Sequence, residues 1–323
     1  MMAGASSNSK ATAPVATVMR AVRLHAAGDP AHLVYEELET PRPGPGEALV
    51  RVHAAAITRD ELTWPVDRLP AVPSYEFSGV VAAVGPAVDT VAIGDAVYAL
   101  SGFDRNGAAA EYTVVPAAVL AAKPGTRNHV ESAAIPLAGL SAWQGLFEHG
   151  GLTQGQRVLI HGAAGGVGSF AVQLARLHGA YVIGTASTAH VERVRTLGAE
   201  EVIDHTQTRF EDAVGPVDVV FDTVGGDRLR RSFAVVRAGG RIVSVAEEPP
   251  AEYGRERGIG AAYFVVEPNR GQLVEMARLV DCGDLQPIID RVFPFAAARE
   301  AFECSLGPVR FGKIVIRMAD DDE

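Results

Sequence analysis

The sequence predicts an α/β protein that joins a β-rich unit to a doubly wound parallel sheet, and three observations carry that expectation. Between about Val18 and Ala138 the chain breaks into short runs rich in β-branched residues, bounded by Gly and Pro. From Leu140 to about Gly283, strand-like and helix-like segments alternate, the pattern of parallel strands with crossover helices. Within that stretch, residues 157–178 read RVLIHGAAGGVGSFAVQLARLH: an aliphatic run, a glycine-rich turn, then a helical apolar stripe.

In the first unit, ALVRVHAAAI (48–57), FSGVVAAV (77–84) and AEYTVVP (110–116) read as strands, and PRPGPGE (41–47) as a turn. In the second, strands are expected at 157–161, 181–185, 201–203, 217–222, 240–245 and about 260–266. The helix after the glycine turn should bury a stripe of Phe170, Leu174 and Leu177. The segment from Leu285 to Arg317 returns to short strands around one helix at 295–305. Residues 1–17, small and polar with no apolar core of signal-peptide length, are expected to be a disordered tail. No internal repeat shows beyond the two halves of the nucleotide fold.

The glycine turn has a specific chemistry. Gly165 lets the backbone approach a pyrophosphate closely, and Gly168 lets the helix pack tightly on its strand. The helix amides and dipole then face the phosphate charge. The strict fingerprint is altered, because Ala163 stands where the first glycine belongs: Ala163-x-Gly165-x-x-Gly168. With a strand before it and a helix after it, the turn predicts dinucleotide binding.

Composition narrows the function classes. The 323 residues, 48% hydrophobic and 21% charged, suit a soluble globular chain of two domains. With 29 Lys and Arg against 39 Asp and Glu, the net charge is −10, which repels nucleic acid and anionic membranes. No apolar run reaches the roughly 20 residues that span a bilayer. The two cysteines, Cys282 and Cys304, have no ligand spacing and fit a reducing, cytoplasmic setting. None of the nine histidines forms a metal-binding spacing.

The stretch GAAGGVGSFAVQLA (162–175) resembles the cofactor loop of the medium-chain dehydrogenase/reductase superfamily. YEFSGVVAAVG (75–85), GDAVYAL (94–100), PLAGLSAWQGLF (136–147), LGAEEVID (197–204), FDTVGG (221–226) and GKIVI (312–316) extend that resemblance over nearly the whole chain. They match best the zinc-independent branch, the quinone oxidoreductase (zeta-crystallin-like) enzymes. The resemblance implies a GroES-like catalytic domain at 18–138 and 284–323, with a Rossmann cofactor domain inserted at 139–283. It also implies a homodimer that pairs sheet edges, and the apolar run 261–266 suits such an edge.

On that frame, Ala164, Gly165, Gly166, Val167 and Gly168 hold the pyrophosphate, Ser141 contacts the cofactor, and Thr223, Val224 and Gly225 line the nicotinamide edge. Lys313 matches a cofactor-side motif, and reads equally as a solvated strand end. The second strand ends IGTAS (183–187) without the carboxylate that holds an NAD ribose, which permits NADPH. Ser187 and Thr188 can donate to a 2′-phosphate. His205 stands where relatives often place a tyrosine, and Arg193 either supplies charge or is plain surface. Zinc-dependent relatives use a cysteine where Thr58 stands and a Gly-His-Glu motif where Ser74-Tyr75-Glu76 stands, so metal catalysis is not expected.

Without a Lewis acid, the natural hydride acceptors are quinones and α,β-unsaturated carbonyls. Thr58, in the position often held by asparagine, is the candidate donor to the substrate carbonyl, with Glu61 in the same segment. Tyr75 is either a proton donor or a filler of the cavity left by the metal, and Trp64 either stacks on a planar substrate or packs. A short-chain dehydrogenase is excluded, because no tyrosine precedes a lysine by four residues. The remaining alternatives are an enoyl reductase of a thioester or biosynthetic intermediate, and a non-catalytic NADPH-binding protein.

Overall fold

A computed structural model describes residues 15–64, 67–307 and 311–319. Of the tail expected at 1–17, residues 1–14 lie outside the described residues. The chain opens with an antiparallel pair, β1 (Val18–Leu24) and β2 (Leu33–Glu39). The strands β3 (Glu47–Ile57), β4 (Glu76–Val84), β5 (Ala96–Leu100), β6 (Tyr112–Pro116) and β7 (Ala121–Ala122) follow. Two helices, α1 (His129–Ala133) and α2 (Pro136–Trp143), lead into the second sheet.

That sheet is built from β8 (Arg157–His161), β9 (Tyr181–Ala186), β10 (Glu201–Asp204), β11 (Val217–Asp222), β12 (Val236–Ser244) and β13 (Gly260–Tyr263). All pairings are parallel, in the order β10-β9-β8-β11-β12-β13, so the order in which strands are added reverses between β8 and β11. Val158, Leu159 and Ile160 of β8 are wholly buried, as a central strand covered by helices on both faces requires. Between the strands lie α3 (Gly166–Leu177), α4 (Val191–Thr196), α5 (Phe210–Ala213) and α6 (Asp227–Ser232). Phe170 and Leu174 of α3 are buried, but Leu177, expected on the same stripe, is exposed at the helix end.

The last strand stops short of the expected 266. Gln144 holds the next segment with both ends of its amide, donating to the Glu267 carbonyl (2.9 Å) and accepting from the Glu267 N–H (3.0 Å). Phe264 and Val266 are thereby drawn into the core instead of continuing the ladder.

The chain then adds α7 (Arg270–Asp281), β14 (Ile289–Pro294), α8 (Ala298–Leu306) and β15 (Lys313–Arg317). The helix expected at 295–305 is α8, preceded by a 3₁₀ turn at Phe295–Ala297. β15 pairs antiparallel with β3, so the C-terminal segment joins the first sheet, in the order β14-β15-β3-β4-β5-β7 with β6 also on β3. One apolar core spans both sheets, from Tyr75 and Tyr98 to Leu140, Phe170 and Phe221. Among the described residues no helix is long and apolar enough to cross a membrane. Both cysteines carry free thiols.

Candidate active site

The turn after β8 is shaped by glycines that no other residue replaces. Gly162 has a positive φ of 71°. A Cβ on Gly168 would stand 2.1 Å from the Gly162 carbonyl oxygen, so the helix rests directly on the turn. Gly165 caps α3 without any side-chain hydrogen bond, leaving the helix start open to an anion. Ala164 is buried behind the turn, while Gly165, Gly166 and Val167 are half-buried along its rim. Beside it, the buried carboxylate of Asp222 accepts from the amides of Val224 (3.3 Å) and Gly225 (2.9 Å) and fixes the second loop. The Thr223 hydroxyl donates to the His161 carbonyl at 2.8 Å, and Val224 is exposed. These loops fit a dinucleotide: they give a close-approach glycine turn, an uncapped helix start and a rigid neighbouring edge.

At the far end of β9, Ser187 is half-buried and begins the turn to α4. The Thr188 hydroxyl is already engaged, donating to Asp204 (2.5 Å) beside Thr206. Asp204 thus puts a carboxylate here from β10, which the reading of β9 alone did not include; in register it lies opposite Ala186. His205 faces Arg228 at 3.2 Å, and burial first, then that guanidinium, pushes its imidazole below the ordinary histidine range. Arg193 is exposed, with its guanidinium stacked on Phe311 at 3.8 Å. Two residues not singled out from the sequence therefore join this end: Arg228, and His190, whose buried Nδ1 makes no hydrogen bond.

The reacting end is assembled from three separate segments. Thr58 follows β3, Glu61 lies in the next turn, Glu76 begins β4 and Lys313 begins β15. Glu61 is 1% exposed and works as a brace: its oxygens accept from the amides of Thr58 and Ser74, each at 3.1 Å. Ser74 needs that brace because it holds a positive φ of 66°. Burial pushes the Glu61 carboxyl up to about 8 despite those bonds and the nearby Lys313.

Lys313 is 5% exposed, so it is not a solvated strand end. Its ammonium pairs with Glu76 Oε1 at 2.5 Å and donates to Thr58 Oγ1 at 3.2 Å. The other Glu76 oxygen accepts from the Leu137 amide at 2.8 Å, where the first turn of α2 leaves N–H groups unpaired. The lysine stem runs past Gly166, where a Cβ would meet its Cδ at 2.6 Å. Gly312 also donates to the Ala164 carbonyl at 3.0 Å, so the charged cluster and the glycine turn share one seam. A lone carboxylate in the apolar run YEFSGVVAAVG was the sequence signal for such a partner, since a buried charge must be paired.

Tyr75 is fully buried and sits in a ring cluster with Trp64 (5.8 Å) and Phe103 (5.2 Å). Its hydroxyl accepts from Arg68 at 3.1 Å, and that arginine also donates to the Phe103 carbonyl. Ser141 is buried within α2.

A catalytic zinc would need about three protein donors and an open position. Thr58 and Tyr75 supply neither thiolate nor imidazole, and Glu76 is committed to Lys313 and Leu137. Among the described residues no three His, Cys, Asp or Glu side chains come together to hold a metal. The described residues do not fit that metal.

The family described as alcohol dehydrogenase GroES-like domain matches residues 44–125, and that described as zinc-binding dehydrogenase matches 197–316. The chain is 35% identical over 295 residues to a chloroplastic NADPH-dependent alkenal/one oxidoreductase of Arabidopsis thaliana, covering 84% of this chain and 72% of that one. It is 37% identical over 260 residues to a 2-methylene-furan-3-one reductase of Solanum lycopersicum, covering 77% of this chain but only 64% of the relative's length. Among solved structures, the quinone oxidoreductase from Coxiella burnetii superposes with a TM-score of 0.87 at 32% identity, covering 93% of this chain and 99% of that one. The chain belongs to the medium-chain dehydrogenase/reductase superfamily, in the branch that holds the quinone and alkenal/one oxidoreductases.

Proposed function

We propose that the protein is an NADPH-dependent reductase of quinones and α,β-unsaturated carbonyls that works without a metal. The observation that carries this reading is the state of the Thr58 hydroxyl. Its oxygen accepts from Lys313, so its own hydrogen remains to donate to a substrate carbonyl beside the glycine turn. When bound, NADPH supplies the hydride for the electron-poor carbon of the acceptor. The glycine turn and the uncapped start of α3 hold its pyrophosphate, and Ser187, His190, His205 and Arg228 surround its adenosine end. Thr58 orients the acceptor and stabilises the oxyanion, while Glu61 holds the Thr58 loop.

The two sheets support a division into a catalytic domain at 18–138 and 284–323 and a cofactor domain at 139–283. The edge strand β13, with Tyr263 and nearby Val265 exposed, supports a homodimer paired along that edge, which light scattering would test. For the activity, NADPH absorbance is followed with a naphthoquinone and a simple enone, each with chelator present. Oxidation by either acceptor is the expected result. Binding of NADPH without oxidation by either would overturn the reading.

A further inference from the structure

Reduction of a quinone or enone consumes a proton as well as a hydride, and the side chains best placed by sequence to give it are committed elsewhere. Tyr75 is sealed in its ring cluster with Arg68 on its hydroxyl. Both oxygens of Glu61 face backbone amides. Lys313 is different. An ammonium carries three N–H donors and no acceptor, and one of these donors points at the Thr58 hydroxyl oxygen.

We propose that Lys313 is the proton source, delivering it through the Thr58 hydroxyl to the oxygen of the reduced acceptor. This inference rests on the reading of Thr58 as the donor to the acceptor carbonyl. Hydride arrival turns the acceptor carbonyl oxygen into an enolate or phenolate. That oxygen takes the Thr58 proton, so a new O–H bond forms as the Thr58 O–H breaks. Thr58 Oγ1 takes a proton from Lys313 Nζ in turn, and one N–H bond breaks. Thr58 ends as it began, Lys313 is left a neutral amine, and an enone leaves as an enol that tautomerises in water. Water returns the proton to Lys313 after product release.

Transfer cancels two opposite charges inside a seam where Lys313 and Glu76 are both almost fully buried. Glu76 then loses its cation but keeps the Leu137 amide at the start of α2, whose dipole favours a negative charge. The charged and titratable groups facing Lys313 are Glu76 and Glu61, and burial pushes the Glu61 carboxyl up to about 8.

The test is a single turnover of NADPH with a naphthoquinone in weakly buffered solution, with NADPH absorbance and a pH-indicator dye followed together. In the wild type the protein gives the first proton, so dye-detected uptake from water lags behind NADPH oxidation. Lys313→Arg keeps the charge opposite Glu76 but cannot give up a proton. The lag is expected to vanish and turnover to fall by about a hundredfold. Thr58→Val should remove the lag in the same way, and Thr58→Ser should restore it. Fluorescence titration with NADPH shows that each variant is folded and binds cofactor. A wild-type lag in both Lys313→Arg and Thr58→Val overturns the relay, as does a lag lost only in Glu61→Gln. A wild type that oxidises no NADPH overturns the functional reading first, and the relay with it.

Discussion

The glycine turn and the charged cluster lie against the same seam, yet they are made in opposite ways. The turn is one continuous run, Gly162–Gly168, whose function resides in backbone and in the absence of side chains. The cluster of Thr58, Glu61, Glu76 and Lys313 draws on residues up to 255 positions apart and functions through side chains that distant segments bring together. A backbone device tolerates almost nothing at its glycines but needs little from elsewhere. A side-chain device fails when any one of its distant members is lost.

Breaking the cluster should give the largest effect. Glu76→Gln leaves the buried Lys313 ammonium without its counter-ion, and denaturant unfolding should show a loss of about 3–5 kcal/mol. A variant as stable as the wild type would mean that the pair contributes little. Breaking the turn comes next. Gly168→Ala drives a Cβ into the Gly162 carbonyl, with an expected cost of about 1–3 kcal/mol in stability. Fluorescence titration should also show that NADPH binding is lost, because the turn must open to relieve the clash.

The brace can be separated from the charges by pH. The raised Glu61 carboxyl means that the folded chain keeps a proton which the unfolded chain releases at the ordinary carboxylate range. The stability linked to that proton is fully present below about pH 4 and is lost as pH rises through about 8. Glu61→Gln should flatten this decline, which is on the order of a few kcal/mol. Melting temperatures measured from pH 5 to 9 would show it, and an unchanged slope would place the titration on another group. The smallest effect belongs to the adenosine end. Ser187→Asp adds a carboxylate near the one already supplied by Asp204, and should swing preference from NADPH toward NADH by about tenfold, about 1–2 kcal/mol of repulsion. Equal kcat/KM ratios for the two cofactors before and after would refute the assignment of this end.

How much could be read in advance follows the same divide. The strands at 157–161 and 217–222 stand at the expected residues, because a strand buried on both faces writes a largely apolar run, broken inside the second only by Asp218. The strand at 260–263 ends early for a reason no local pattern holds: Gln144, more than a hundred residues away, pairs with Glu267. Thr188 looked available for a phosphate because its neighbours in sequence carry no acid, whereas its neighbour across the sheet, Asp204, does. Tyr75 offered a hydroxyl in sequence and, in the fold, is fully buried with that hydroxyl accepting from Arg68.

By itself the sequence determined the α/β architecture, the glycine turn and the dinucleotide chemistry, because each is written in residues that are neighbours along the chain. Only the tertiary structure decided what the ionisable groups do. It set Lys313 between Glu76 and Thr58, turned Glu61 into a brace and sealed Tyr75 away. The physical reason is that a charge or a proton acts across a few ångströms of space, and the residues that meet there are fixed by how the sheets pack.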